Sequence, residues 1–367
     1  MNQNKPEHFS RPSPIVNAAK ALRSVLVLAA TLVCIAAGNT LADARHEVSV
    51  TRLLDSPIIS PDLDPSIGVN IQGPSLIKVP EWVANPLGKY YLYFADHKGL
   101  YIRLAYADSL TGPWQIHAPG SLRIEDSHFA ATRPTIDPNR LAELVAAREA
   151  SGVRIMHDFA KELTEPHIAS PDVHVDNDAR RIVMYFHGLE DAALQHSRVA
   201  VSANGIDFET YEENIGRSYF RTFEWQGFTY ALAMPGQLYR SRDGLTEFEE
   251  GPRLFESTMR HSAVIVRDDT LFVFWTRVGD APESLLLSTI DLSSDWAEWS
   301  ESPEVEVLRP EFDWEGADAP VLPSVRSTAY GKVNQLRDPA LHEEDGEVYL
   351  LYAVAGESGI ALAKVSF

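Results

Sequence analysis

Residues Gln335–Lys364, QLRDPALHEEDGEVYLLYAVAGESGIALAK, decide the fold, because they are the cleanest copy of a unit that recurs along the chain. The stretch opens a strand at Arg337-Asp338-Pro339, turns at Glu344-Asp345-Gly346, and continues as strands over Val348–Val354 and Gly359–Val365. Alternating apolar and polar residues punctuated by Asp and Gly are strand and hairpin signals. Four earlier stretches superimpose on it. GPSLIKV leads to GKYYLYFADHKG and LYIRLAYAD, and SPDVHVD to RRIVMYFHG and HSRVAVSANG. YFRTFEW leads to GFTYALAMPG and LYRSRDG, and RHSAVIV to DTLFVFWTRVG and SLLLSTIDL. Five antiparallel meanders predict an all-β fold, a five-bladed β-propeller occupying 45–367 as one domain.

Working outward, the chain has 367 residues and the last blade ends after three strands. A propeller must close its ring, so Val48–Leu54 is expected to supply the missing outer strand. Before it, a basic region, the apolar run Val25–Ala37 and Ala42-Asp43-Ala44 form the pattern of an export signal over 1–44. The apolar run is too short to span a bilayer comfortably, so export to the periplasm or the extracellular space, without membrane attachment of the mature protein, is the expectation. Cys34 is the only cysteine. The mature chain would then have no disulfide, no thiol nucleophile and no thiolate metal site.

The net charge is −20, which makes nucleic acid and anionic membrane surfaces poor partners. A neutral ligand, or an anion held by a local arginine cluster, fits better.

In an up-and-down blade, the start of the inner strand and the loop between strands two and three lie on one face. Ionisable residues recur there. Gln72, Asp172, Arg221, Arg260, His261, Arg337 and Asp338 mark inner-strand starts, while Asp96, His97, His187 and Glu357 sit in the loops. Two linkers exceed what a propeller needs, and long loops in compact domains are usually functional. Gly120–Ala169 contains a helical run over Asn139–Ala150 with His128, Arg133, His157, Glu165 and His167 around it. Pro303–Asn334 holds Asp313, Glu315, Asp318 and Arg326. Both are expected to wall the face that carries Asp172. The turns Ser202-Ala203-Asn204-Gly205 and Ser241-Arg242-Asp243-Gly244 are architectural.

G-K-Y-Y-L-Y-F, SPDV, the S-x-D-G-x-x-x-F turn and LRDPAL resemble the five-bladed propeller glycoside hydrolases, especially family 43 with its family 32 and 117 relatives, over Asn70–Phe367. The resemblance implies a base Asp in the first inner strand, a pKa-tuning Asp in the second and an acid Glu in the third. Asp172 matches the second position. Gly73 stands at the first, and the third strand offers Arg221, with Glu224 on the opposite face.

The residues themselves still permit hydrolysis. Asp172 and Asp338 would form an inverting pair about 6.5–9.5 Å apart. Arg221, Arg260 and Arg337 would hold one carboxyl group ionised, with His261 as acid or orienting group. The expected function is an exported glycoside hydrolase acting on an extracellular oligo- or polysaccharide, with the arginines hinting at an acidic sugar. The catalytic candidates are Asp172, Asp338 and His261; the substrate-binding candidates are Gln72, Asp96, His97, His187, Arg221, Arg260, Arg337 and Glu357. Gly73 motivates the alternative, a carbohydrate-binding propeller without turnover or a polysaccharide lyase. No cofactor is expected, and the histidine spacing fits no transition-metal motif. His261 could ligate a single structural cation at the ring axis, as central histidines do in some relatives. Trp82, Trp114 and Trp314 are loop candidates for stacking on a sugar.

Overall fold

The computed structural model describes residues 48–150, 155 and 158–367. The export signal expected over 1–44, and His157, lie outside the described residues. Five four-stranded antiparallel sheets surround one axis. Blade one runs β2 (Gln72–Lys78), β3 (Tyr90–Ala95), β4 (Tyr101–Ala107), β5 (Gln115–Arg123), and blade two β6 (Ile168–Asp176), β7 (Arg181–Asp191), β8 (Leu194–Ser202), β9 (Glu209–Thr210). Blade three is β10 (Arg221–Trp225) to β13 (Glu249–Arg253) and blade four β14 (Met259–Arg267) to β17 (Val305–Leu308). Blade five joins β18 (Arg337–Glu344), β19 (Glu347–Ala353) and β20 (Ile360–Ser366) to β1 (Ser49–Arg52). The expected linker Pro303–Asn334 is therefore shorter than the sequence suggests, because its first residues form the outer strand of blade four.

Ring closure follows the expectation. Strand β1 pairs antiparallel with β20, Ser49 opposite Ser366 and Arg52 opposite Ala363. Arg52 then fastens the seam: Nε and Nη2 donate to Glu315 at 2.8 and 2.9 Å, and Nη1 to Glu311 at 2.8 Å. Glu315 is fully buried and also accepts from Tyr352 Oη at 3.0 Å.

Each pair of neighbouring blades encloses its own apolar core. Tyr91, Phe186 and Met184 lie between blades one and two, and Phe220 and Tyr239 between two and three. Leu232, Val273 and Trp275 fill the next gap, Phe274 and Tyr352 the fourth, and Leu92, Phe94 and Leu351 the fifth. The strand faces are buried on both sides, so the core is divided into wedges rather than gathered at one centre. Tyr93 Oη donates to the Gly205 carbonyl and Tyr185 Oη to that of Gly244, both at 2.7 Å. The two turns read as architectural thus receive a tyrosine from the preceding blade. Asn204 Oδ1 and Asp243 Oδ1 cap them from within.

Candidate active site

The start of each inner strand is distorted in the same way. Two residues oppose one across the first hairpin at Gly73-Pro74, Ser170-Pro171, Arg260-His261 and Asp338-Pro339. Tyr219-Phe220 occupies the same place before β10. Gly73, Ser170, Tyr219 and Asp338 have φ of +63°, +52°, +67° and +47°. Bulges and left-handed residues re-aim side chains, and here they turn them towards the axis.

This register separates two residues the sequence reading had joined. Asp338 shares its position with Gly73, Ser170 and Tyr219, whereas Asp172 lies two residues further on and corresponds to Ser75, Ser262 and Ala340. The side chains at that second position fasten one blade to the next. Ser75 Oγ accepts from Val173 N at 2.8 Å, and Asp172 Oδ2 accepts from Thr222 N at 2.8 Å. Arg221 Nε donates to the Ser262 carbonyl at 2.9 Å and Nη1 to that of Pro171 at 3.1 Å. Asp172 also bonds His174 Nε2 at 2.8 Å. Burial alone would raise its pKa, but His174, Arg221 and the Thr222 N–H outweigh burial and lower it.

Asp172, His174 and Arg221 line a cavity of about 300 Å³ bounded by the later residues of the inner strands, such as Lys78 and Glu343. His261 lines a different cavity, of about 260 Å³, at the strand starts. The two linings share no residue, and Asp338 belongs to neither, so Asp172 and Asp338 do not line one funnel as the expected pair would. The long insertion walls the second cavity, not the one with Asp172.

Two helices build that wall. Helix α1 (Pro138–Ala150) starts at Asp137, whose Oδ1 accepts from the N–H groups of Asn139 and Arg140, with Pro138 at the first helical position. Helix α2 (Phe159–Thr164) is capped by Asp158, which accepts from Lys161 N. Ala193 N donates to the Leu163 carbonyl at 2.8 Å, which docks α2 on the β7–β8 hairpin. Arg148, Glu162 and Leu163 thereby reach the cavity, opposite Arg326 and Ser327 of the second linker.

His187, Tyr219 and His261 form a continuous ring stack there, with centroid separations of 4.7 and 4.8 Å. Burial lowers the pKa of His261 well below the usual imidazole value, with Arg260, Arg337, His97 and Arg221 adding to the effect. Burial does the same to His187, helped by His97 and Lys98. Both rings are neutral at physiological pH. His261 Nδ1 accepts from the Asp338 N–H at 3.3 Å and lies 3.0 Å from Asp338 Oδ1. An acceptor Nδ1 places the ring proton on Nε2 and requires the Asp338 carboxyl group to bring the proton shared between them. The titration of Asp338 agrees. Burial, reinforced by the Glu357 charge and opposed by Arg260 and Arg337, pushes it up to about 7.

Behind this dyad lies an ionised lattice. Arg337 Nη1 donates to Glu357 at 2.6 Å and its Nε lies 3.2 Å from Glu283, which also faces Arg260 at 3.4 Å. Glu357 further accepts from Asn70 at 2.7 Å and lies 3.3 Å from His97 Nδ1. Burial would raise its pKa, but His97, Arg337 and Asn70 prevail and hold it well below the carboxylate range. Two neighbouring buried carboxyl groups are thus driven to opposite protonation states.

Of the expected ligand-binding residues, His97, His187 and Arg260 line this cavity. Arg337 and Glu357 stand behind it as supports, and Arg221 belongs to the other cavity. Asp96 caps the Lys98 N–H and sits 3.5 Å from Arg103. Gln72 is fully buried with neither amide atom bonded. Unpartnered buried atoms of Ser170, His187, Arg260, Glu283 and Asp338 occur in the same inner-strand-start and second-to-third-loop positions of the blades, as a site meant for a polar ligand would leave them. The axial cation suggested for His261 does not fit, since arginines crowd the ring and Nδ1 is already engaged. Trp114 is buried, Trp82 bonds Asn177, and Trp314 stacks on Phe312, so none of the three tryptophans lines this cavity. The sequence reading missed Tyr219, Lys98 and Glu162. Aligning the blades on Pro74, Pro171 and Pro339 would have placed Tyr219 with Asp338.

No protein-family model matches the chain. It is 36% identical over 323 residues to the uncharacterized protein R118 of Acanthamoeba polyphaga mimivirus, covering 81% of this chain and 84% of that protein. Among solved structures, one from family 130, described as mannoside phosphorylases that include glycoside hydrolases targeting β-1,2 mannosidic linkages in Candida mannan, aligns with a TM-score of 0.54 at 13% identity, covering 89% of this chain and 96% of that one. A GH43 enzyme from Xanthomonas citri gives 0.51 at 10%, covering 86% and 90%. A GH43 β-xylosidase/α-arabinofuranosidase from a compost microbial metagenome gives 0.50 at 12%, covering 86% and 94%. At such identities the likeness is one of fold, the five-bladed propeller of glycoside hydrolases.

Proposed function

We propose that this chain, which belongs to the family of the mimivirus protein R118 and folds as a glycoside-hydrolase-type propeller, hydrolyses glycosidic bonds in the cavity lined by His261. The observation that carries the reading is the His261–Asp338 dyad: a protonated buried carboxyl group behind a neutral imidazole whose far nitrogen faces the cavity. His261 Nε2–H donates its proton to the glycosidic oxygen as the C–O bond breaks, and Nδ1 takes the Asp338 proton. Glu162, the one carboxylate in the lining of this cavity among the described residues, accepts a proton from the water that adds to the anomeric carbon. Solvent then protonates His261 Nε2 as Nδ1 hands its proton back to Asp338, and takes the proton of Glu162. The Tyr219 ring, stacked between two histidines, fixes the plane of His261, and Glu357 with Arg337 fixes the ionisation around it. Export through the 1–44 signal would place this chemistry outside the cytoplasm, on an oligo- or polysaccharide.

A binding propeller without turnover is the second reading, supported by Gly73, Ser170 and Tyr219, which bring no carboxylate to the left-handed positions of three blades. Product analysis separates them. New reducing ends without unsaturated sugar support hydrolysis, unsaturated uronates would mean lyase chemistry, and binding with unchanged saccharide would leave the binding module.

A further inference from the structure

The cavity that holds His261 is cationic in a protein of net charge −20. Among the described residues, Lys98, Arg148, Arg260 and Arg326 line it against Glu162 alone. Glu283 lies behind Arg260 but is shared with Arg337, and its contact with Arg260 is long, 3.4 Å. Arg260 is 2% exposed, and its Nε has no hydrogen-bond partner. Arg326 has no carboxylate partner among the described residues. Its guanidinium donates to the Ser257 carbonyl at 2.7 Å and touches Met234 Sδ at 3.1 Å. Arg148 is drawn to the same spot by a bond from Nη2 to the Arg326 carbonyl. Burial depresses Arg326 to about 10, and the charges of Arg260 and Arg148 contribute. It remains cationic at neutral pH, so the fold holds Arg326 beside Arg260 and Arg148 with no carboxylate paired to Arg326 itself among the described residues.

We infer that the saccharide bound here carries an anionic group, a carboxylate or a sulfate ester, and that Arg260 and Arg326 hold it. Planar guanidinium groups match such oxyanions with paired N–H donors. The adjoining cavity of about 350 Å³ is lined by Asp158, Glu162 and Glu165 together with Lys98 and Lys161. The inference rests on the proposed function and names its substrate class.

Calorimetric titration of the full-length protein with uronate-bearing oligosaccharides, sulfated oligosaccharides, matched neutral oligosaccharides and free inorganic phosphate tests it. The expected result is binding of one charged class at least 10-fold tighter than the neutral match, the class identifying carboxylate or sulfate. Arg326→Gln should erase that preference and Arg326→Lys restore part of it. Arg326 has no carboxylate partner, so its replacement strands no buried charge; a thermal melt matching the parent's checks that the variant is folded. Equal affinity for neutral and charged saccharides overturns the inference and leaves the proposed function standing. Binding of free phosphate without any preference among saccharides also overturns it. Absence of binding to any saccharide removes both.

Discussion

Replacing Asp338 by Asn should make the protein more stable at alkaline pH and leave it little changed at acid pH. The folded protein holds the Asp338 proton with a pKa of about 7 against 3.8 in the free side chain, and the group is 1% exposed. Between these values the folded state carries a proton that the unfolded state has lost, so stability falls as pH rises through this window. The contribution is fully present below about pH 4 and lost above about pH 7. Roughly three pH units at about 1.36 kcal/mol each give a penalty on the order of 4 kcal/mol at pH 8. Asn cannot ionise, so the difference between variant and parent should grow with that slope and then level off. Burial lowers His261 and His187 well below the usual imidazole value, so they add a stabilisation that rises with pH up to about 6.5; both proteins carry them, and they cancel from the difference. Urea unfolding of both proteins in steps from about pH 5 to about pH 8 reads the difference directly. Parallel stability curves, within about 0.5 kcal/mol throughout, would refute the assignment of a proton to Asp338.

Two further expectations concern the frame. Arg52→Met leaves Glu315 buried without its guanidinium partner and should cost about 3 kcal/mol, since breaking a buried ion pair costs on this scale; an unchanged urea midpoint would show that the seam does not depend on this contact. Gly73→Asp should fail to restore a family-like base and should destabilise by about 1–3 kcal/mol. A Cβ at Gly73 would lie 3.0 Å from Ser170 Cα at a φ of +63°, so a well-folded Gly73→Asp protein with raised turnover would contradict the close approach of blades one and two.

The repeat, the number of blades and the closing strand were legible because each is written in local chemistry. Asp345-Gly346 takes φ of +53° and +79° in the hairpin its sequence announces, and the unpaired edge of blade five requires a strand from elsewhere. The site was legible in composition but not in register. Asp338 precedes its proline and Asp172 follows its own, and with the bulge fixed on that proline the two side chains serve different purposes. Sequence reading counted both as strand openings. Glu162 and Arg326 come from linkers whose paths are set by tertiary contacts such as the Ala193–Leu163 bond, for which no periodic pattern exists. Gly73 read as a lost catalytic residue, whereas it is a glycine that two blades require.

The most direct test of the account is turnover by Asp338→Asn beside Asp172→Asn, measured as reducing ends released from the saccharide that the wild-type protein cleaves. Asp338→Asn should lose about 10²–10⁴-fold in kcat, the range of a missing acid catalyst, while Asp172→Asn, altered in a blade fastening on the other cavity, should stay within a few-fold of the wild type once shown to be folded. Loss confined to Asp172→Asn, or equal loss in both, would contradict it.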